Sequence, residues 1–269
     1  MSIQFQNVSK SFGQKQILKK ISFEVKKGEI LFILGKSGMG KSVTLKQIIG
    51  LLKPDEGQIF VDDLEITALK ESELPRARRK CGMVFQHPAL LDSLSVRENV
   101  AFGLKTPQFI QEQGRALTEK EIEERVIEKL GLVHLGSEIL ECVPSELSYG
   151  MQKRVSLART LAPNPSYLLF DEPTTGLDPI TTHAVNDLIL DLSRKLQVTC
   201  IVVSHDMSCA LKIAERILVL DQGIILSHGT VAQIKTSQEP LIREFLAETL
   251  ALLPPEERAT LSTGNEGTS

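Results

Sequence analysis

The sequence predicts an α/β fold with three parts: an N-terminal antiparallel β subdomain, a core of buried strands that alternate with helices, and an inserted α-helical subdomain. Three observations predict this fold. Residues 1–30 carry short alternating apolar patterns, which are typical of half-buried strands. The runs at 29–34, 167–170 and 199–203 are almost continuously apolar, which indicates strands buried on both faces. From about 87 to 162 the periodicity is helical.

The antiparallel subdomain comes first. Alternating patterns at 3–8 and 17–25 are separated at Gly13 and end at Lys27 and Gly28, where the chain can turn sharply. We therefore expect antiparallel strands joined by tight turns.

The core begins with the buried strand at 29–34, which leads through a glycine-rich turn into a helical pattern at 42–52. Further strands are predicted at 57–62 and 82–86. Within the inserted region, the charged periodic segment 118–130 predicts the clearest helix.

Length and composition indicate one catalytic unit. A chain of 269 residues can bury a large core, and 42% hydrophobic with 24% charged residues is ordinary for a globular protein. We expect the folded domain to span residues 1–253. The segment 254–269 holds two prolines and only one bulky apolar side chain, which predicts a disordered tail.

Charge, hydropathy and cysteine spacing exclude several classes. The formal net charge is −3 and the dense basic run is limited to 76–80, so we expect no nucleic-acid partner and a solvated face at that run. No apolar run approaches the roughly 20 residues that span a bilayer, and the N-terminus is unlike a signal peptide. The four cysteines lack the spacing of metal ligands, which predicts reduced, structural thiols.

Residues 35–42 read GKSGMGKS, the pattern of a phosphate-binding loop between a strand and a helix. Its glycines let backbone amides surround the phosphates, and the helix N-terminus adds its positive dipole. Lys41 would reach the β- and γ-phosphates, and the Ser42 hydroxyl would ligate magnesium. The motif predicts ATP and Mg²⁺ as ligands and a P-loop NTPase (RecA-like) core. Lys41 and the spacing exclude a dinucleotide-binding fold.

Two adjacent carboxylates end the buried strand in YLLFDE at 167–172. Asp171 is expected to hold magnesium, and Glu172 to accept a proton from the attacking water. A buried strand that ends in acidic residues is common, so the phosphate loop in the same chain is what favours the catalytic interpretation.

The segment 147–152 reads LSYGMQ and begins a predicted helix with Ser148 as its N-cap. A helix N-terminus can bind an anion. By itself the segment predicts only a well-capped helix.

In chain order, these motifs resemble those of the nucleotide-binding domains of ABC transporters, over nearly the whole chain. The resemblance rests on the phosphate loop, Gln86 after a strand, LSYGMQKR, YLLFDEP, TTGLD and SHD. In that family, each ATP lies between the loop of one subunit and the LSYGM-type helix of another. The resemblance therefore implies a homodimer in which Ser148 and the Gly150 amide meet the γ-phosphate bound by the second copy.

The resemblance also implies roles for single residues. Gln86 would sense magnesium and the membrane partner, Asp178 would be the acid of the cross-dimer loop, His205 would contact the γ-phosphate, and Phe12 would stack on adenine. The alternatives are a core position for Phe12, a strand end for Gln86 and a capping or surface role for His205. The expected catalytic residues are Lys41, Gln86, Glu172 and His205, and the expected metal ligands are Ser42, Gln86 and Asp171. The residues expected to bind ATP are Phe12, Gly35, Lys36, Ser37, Gly38, Met39, Gly40, Lys41, Ser42, Val43, Ser148, Gly150 and Asp178.

The signature segment departs from the family pattern, because Tyr149 and Met151 replace a glycine and a glutamine. Tyr149 requires a backbone angle that ordinary residues adopt, and Met151 cannot hydrogen-bond to a ribose. We expect lower but real ATPase activity.

Longer stretches resemble the Mla/Mce-type phospholipid-transport ATPases: QHPALLDSLSVRENVAFGL, PSELS, DPIT, VTCIVVSHD and PLIREFL. This resemblance implies phospholipid transport at the cytoplasmic face of the bacterial inner membrane, through two copies of an integral-membrane permease and with a lipid-binding Mce-type protein. Apolar residues within 87–104 would line a groove for the permease. Two alternatives stay open, an importer of amino acids or metal ions and a soluble ABC ATPase of the iron–sulfur assembly type.

Overall fold

A computed structural model of the chain describes residues 2–252. The strands are β1 (Ser2–Phe12), β2 (Lys15–Lys26), β3 (Ile30–Leu34), β4 (Glu56–Val61), β5 (Leu64–Glu65), β6 (Cys81–Val84), β7 (Tyr167–Asp171), β8 (Thr199–Ser204), β9 (Arg216–Asp221) and β10 (Ile224–Thr230). The helices are α1 (Lys41–Ile48), α2 (Leu74–Lys80), α3 (Val96–Ala101), α4 (Pro107–Gln113), α5 (Glu119–Leu132), α6 (Tyr149–Leu161), α7 (Pro179–Leu196), α8 (Met207–Ile213), α9 (Val231–Lys235) and α10 (Pro240–Leu252).

The N-terminal strands form an antiparallel sheet in the order β2-β1-β4-β5. The turn between β1 and β2 uses Gly13 with a φ of +58°, a conformation that glycine adopts without steric cost. The predicted antiparallel subdomain is therefore present.

The second sheet has the order β10-β9-β3-β8-β7-β6, with parallel pairing from β9 through β6 and an antiparallel edge strand, β10. Successive residues of β3 point to opposite faces. Ile30 and Phe32 join the core beneath the helices, whereas Leu31 and Ile33 join the core shared with the antiparallel sheet and α1. Burial on both faces explains why these strands are continuous apolar runs in the sequence.

The helical insertion lies between β6 and β7, where α3, α5 and α6 pack on one another. Thr118 and Glu121 form a reciprocal capping box that fixes the start of α5, close to the predicted helix. The helix predicted at 42–52 ends early, at Ile48, because Gly50 takes a φ of +65°. The strand predicted at 82–86 ends at Val84, so Gln86 lies beyond it.

The basic run at 76–80 is not the solvated face that we expected. It belongs to α2, where Arg78 Nε donates to the carbonyl of Ile49 at 3.0 Å and Lys80 pairs with Asp62. The predicted tail, 254–269, lies outside the described residues. Within residues 2–252, no helix has both the length and the apolar character needed to cross a membrane.

The cysteine thiols at 81, 200 and 209 are buried and free. Burial raises the pKa of each of these thiols to about 12, which disfavours the reactive thiolate. These cysteines are structural, as predicted.

Candidate functional site

The phosphate loop connects β3 to α1, and its glycines are dictated by close packing. A β-carbon on Gly35 would lie 2.4 Å from the carbonyl oxygen of Leu220, a distance that no side chain can accept. Gly40 has a φ of +100°, and a β-carbon there would lie 2.7 Å from Leu18. The loop can therefore keep this conformation and this packing only with glycine at these positions.

Lys41 is the first residue of α1, and its side chain is 6% exposed. Its ammonium donates to the carbonyl of Gly35 at 2.7 Å and to that of Lys36 at 3.2 Å, and it lies 3.2 Å from a carboxylate oxygen of Glu172. The loop is thus joined to the end of β7 through one buried cation.

Ser42 and Asp171 meet directly, because the serine hydroxyl donates to Asp171 Oδ1 at 2.7 Å. A hydroxyl beside a carboxylate suits Mg²⁺, which prefers oxygen ligands and usually takes one or two from the protein and the rest from phosphates and water. Residues 2–252 contain no cluster of three or more His, Cys, Asp or Glu that could hold a metal by itself. The contact between the Ser42 hydroxyl and the Asp171 carboxylate fits a magnesium ion whose other ligands come from a nucleotide and water.

Glu172 has a φ of +50°, in the left-handed region that residues with side chains rarely adopt. Its carboxylate is held from three sides: by Lys41 at 3.2 Å, by the Thr175 hydroxyl at 3.0 Å and by His205 Nδ1 at 2.9 Å. Unusual backbone of this kind concentrates at functional sites. The sequence indicated Glu172, but it predicted neither the contact with Thr175, which lies in TTGLD, nor the backbone conformation.

These residues meet because β3, β8 and β7 are neighbouring parallel strands. The phosphate loop follows β3, the two carboxylates end β7, and His205 follows β8. The carboxyl ends of parallel strands lie at one edge of a sheet, where ligands of open α/β sheets bind. The structure thus joins Lys41, Ser42, Asp171, Glu172 and His205 into one cluster, which we call the phosphate cluster.

Ser148, Gly150 and Asp178 lie in a different place. They line a cavity of about 540 Å³, which none of the phosphate-cluster residues lines. Ser148 caps α6 by accepting from the Met151 amide at 3.3 Å, and Asp178 caps α7 by accepting from the Thr181 amide at 3.0 Å. Hydrogen bonds from the Thr181 side chain and amide lower the pKa of Asp178, which further favours its ionised form. We call this second surface the signature groove.

Three other predicted residues, Phe12, Gln86 and Lys36, are exposed. Phe12 is 48% exposed at the end of β1, with the Lys10 ammonium 5.5 Å from its ring centre, so it is not a core residue. Gln86 is exposed beyond β6. Lys36 pairs with Glu244 of α10 at 3.0 Å, and this hydrogen bond and charge raise the pKa of Lys36. Glu244 lies in the stretch PLIREFL, but nothing in that stretch indicates a contact with the phosphate loop.

Comparison with known proteins matches residues 18–175 to the family model for ABC transporters. Two similar proteins are methionine import ATP-binding proteins named MetN. The one from Carboxydothermus hydrogenoformans is 41% identical over 238 residues, which cover 88% of this chain and 68% of that protein. The one from Escherichia coli strain K12 is 38% identical over 260 residues, which cover 95% of this chain and 73% of that protein.

Solved structures share the fold. The dimeric post-hydrolysis structure of the ATP-binding cassette MJ0796 bound to ADP and Pi has a TM-score of 0.76 and 34% identity, and covers 85% of this chain and 98% of that chain. The structure of cbiO1 from Clostridium perfringens, part of the ABC transporter complex cbiONQ, has a TM-score of 0.79 and 26% identity. The match covers 97% of this chain and 98% of that chain. The predicted fold class, with its antiparallel β subdomain and helical insertion, is confirmed.

The phospholipid-transport function expected from the sequence is wrong, because the similar proteins are methionine importers. The Mla/Mce assignment and the Mce-type partner lose their basis with it. The physical reason is that the resembling stretches belong to the nucleotide-handling machinery and to the folded core. Stretches that serve nucleotide binding and folding are expected to carry little information about the cargo.

Proposed function

The chain belongs to the ABC transporter family, and from that premise we propose that it is the ATP-hydrolysing subunit of an importer for methionine or a similar small amino acid. The observation that supports hydrolysis is the phosphate cluster, in which one buried lysine joins the phosphate loop to Glu172. The printed names of the similar proteins support import and the class of cargo.

ATP would bind with its phosphates in the loop that precedes α1. The backbone amides of the loop and the helix N-terminus supply positive potential. Lys41 already holds its ammonium against two loop carbonyls, so its charge is placed before the nucleotide arrives. We expect phosphate oxygens to replace Glu172 as the anionic partner of Lys41. This exchange would leave the Glu172 carboxylate free to accept a proton.

Ser42 and Asp171 would hold a magnesium ion, which would neutralise negative charge on the phosphate oxygens. Glu172 would then orient the attacking water and take its proton. His205 Nδ1 and the Thr175 hydroxyl fix the position of that carboxylate. The opposite ring nitrogen of His205, Nε2, is the one that could face a phosphate.

Two copies would be needed for a complete site. The signature groove carries Ser148 and Gly150 on a surface that its own phosphate cluster does not line. A second chain placed face to face would bring this groove onto the nucleotide of the first chain. The same fold occurs in a dimeric ABC cassette bound to ADP and Pi.

The pair would work beneath an integral-membrane permease, at the cytoplasmic face of the inner membrane. Segment 87–104, with Leu91 37% and Phe102 54% exposed, offers apolar side chains for that contact.

Glu172→Gln tests the proposal in the purified full-length chain. The amide keeps the size of the side chain but accepts protons poorly, so ATP turnover should fall at least about a hundredfold while ATP binding is kept. Phosphate release at saturating Mg-ATP measures the turnover. Glu124→Gln, on the exposed face of α5, is the matched control and should keep full activity. A Glu172→Gln protein with a tenth or more of the normal rate would refute the role of Glu172.

The same variant tests the cargo. Cells that lack the chain should lose uptake of labelled L-methionine and regain it with the normal chain but not with Glu172→Gln. Unchanged methionine uptake in the deficient cells would refute the proposed cargo and leave the ATPase activity intact.

A further inference from the structure

Tyr149 lies between the two residues of α6 that are expected to reach the partner's nucleotide, Ser148 and Gly150. It is the first residue of the helix, and its side chain is 42% exposed. Its backbone is therefore helical, as predicted for this position. Where the family pattern has a glycine, this chain carries a long aromatic side chain with a hydroxyl group.

The Tyr149 hydroxyl lies 3.3 Å from Nδ1 of His87, within hydrogen-bond distance. His87 directly follows Gln86, the residue expected to sense magnesium and the permease. The tip of α6 is thus linked to the segment that leaves β6.

A second link starts from the ring of Tyr149. The Lys153 ammonium lies 5.2 Å from the ring centre, a cation–π distance, and donates a hydrogen bond to the carbonyl of Pro173 at 2.9 Å. Pro173 directly follows Glu172. Tyr149 is therefore linked through His87 to the segment that carries Gln86, and through Lys153 to the segment that carries Glu172.

The C-terminal half of α6 also binds the segment that leaves β6 and carries Gln86. Arg159 donates to the carbonyl of Ala89 at 2.9 Å and to that of Pro88 at 3.4 Å. Ala89 has a φ of +49°, so the chain after Gln86 is bent into an unusual conformation at this attachment. A helix of 13 residues transmits displacement along its length, because its backbone hydrogen bonds make it rigid.

We propose that Tyr149 is a positioning residue that couples the two nucleotide sites of the dimer: its contacts with His87 and Lys153 tie the tip of α6, which meets the partner's ATP, to the segments that carry Gln86 and Glu172 of its own chain. This inference rests on the proposed ATPase function and on its two-copy site. When the tip docks on the partner's nucleotide, its displacement reaches Gln86 and Glu172 through these side chains. A glycine at position 149 has no side chain and makes neither contact.

Tyr149→Phe tests the coupling, because it removes the hydroxyl and keeps the ring over Lys153. The rate of ATP hydrolysis by the full-length chain is measured across ATP concentrations. We expect a Hill coefficient above 1 in the normal chain, a value closer to 1 in Tyr149→Phe, and a maximal rate that is lower by about two- to tenfold, the range expected for one lost hydrogen bond. His87→Ala should give the same result, and the double variant should be no worse than either single variant.

His228→Ala, at an exposed histidine of β10, is the matched control and should leave both values unchanged. A purely structural role would lower the melting temperature of Tyr149→Phe and leave its Hill coefficient unchanged, so both are measured. The inference is overturned by a normal Hill coefficient in Tyr149→Phe, by a coefficient of 1 in the normal chain, or by single effects that multiply in the double variant. If Glu172→Gln abolishes ATP turnover and any of these results is found, the coupling is refuted but the proposed ATPase function is retained. Absence of such turnover would refute both.

Discussion

At the scale of single residues, the candidate site depends on positions where the backbone limits which residue can be present. Glu172 pays a conformational cost of about 1–3 kcal/mol for its left-handed backbone, and that conformation lets its carboxylate meet Lys41 and His205. Gly35 shows the opposite case, because its lack of a side chain is what the fold needs. The carbonyl of Leu220 occupies the space that a β-carbon would fill.

Gly35→Ala should therefore destabilise the chain by about 1–3 kcal/mol and weaken ATP binding, because the loop must move away from β9. Urea unfolding and nucleotide titration measure the two effects. Gly131→Ala is the matched control: it lies in α5, its β-carbon would meet nothing within 4 Å, and it should stabilise the helix by about 0.5–1 kcal/mol. Equal stability of the two variants would contradict the assigned packing of the loop.

At the scale of elements, Asp62 joins the two sheets. It lies in the turn between β4 and β5, and its side chain, 6% exposed, accepts hydrogen bonds from Lys80 of α2 and Tyr167 of β7. Burial alone would raise the pKa of Asp62, but the hydrogen bonds from Lys80 and Tyr167 outweigh it, and the pKa is lowered. Burial, followed by the hydrogen bond to Asp62 and its charge, raises the pKa of Tyr167. The ionised form of Asp62 therefore stabilises the contact between the subdomains.

Because the pKa of Asp62 is lower in the folded than in the unfolded state, its ionisation contributes fully to stability above the unfolded-state pKa of about 4. This contribution is lost as the pH falls through the folded-state pKa. Asp62→Asn should thus lower the free energy of unfolding at pH 7 by about 1–3 kcal/mol and make stability less dependent on pH below about 4. Asp63→Asn, at the exposed neighbouring position, is the control and should change little. Denaturant unfolding at several pH values measures both. An unchanged acid dependence in Asp62→Asn would show that Asp62 does not contribute it.

At the scale of the whole molecule, one chain carries two separate surfaces, which we propose are the two halves of a nucleotide site. The phosphate cluster lies at the carboxyl ends of the parallel strands, and the signature groove lies at the starts of α6 and α7. Because the groove residues do not line the phosphate cluster, the geometry favours two chains that exchange these halves.

Gly150→Glu tests that exchange. A β-carbon at Gly150 meets nothing within 4 Å, so the variant should fold normally and bind ATP as a monomer. Its carboxylate would repel the partner's phosphates, so the ATP-dependent dimer that we expect from Glu172→Gln should be lost when Gly150→Glu is added. Light scattering after gel filtration measures the mass. The control is Gly131→Glu in the same background, which should still dimerise; a dimer that survives Gly150→Glu would refute this role of the groove.

Much of the site could be predicted because its chemistry depends on contiguous residues. The motif at 35–42 and the two acids at the end of β7 are read directly, since loop geometry and strand burial follow from local residue types. The contacts of Thr175 and Glu244 could not be predicted. Thr175 lies in TTGLD and Glu244 in PLIREFL, but both residues join the site through tertiary packing, and neither stretch indicates which side chain they contact.

By itself, the sequence determined the α/β class, the phosphate loop with Lys41 and Ser42, and the carboxylates Asp171 and Glu172, because periodicity and short motifs are properties of neighbouring residues. Only the tertiary structure decided which of them meet: it gathered Lys41, Glu172 and His205 at one edge of the sheet and left Ser148 on another surface. The reason is that parallel strand order brings together residues more than a hundred positions apart, and that order is fixed by packing of the whole core.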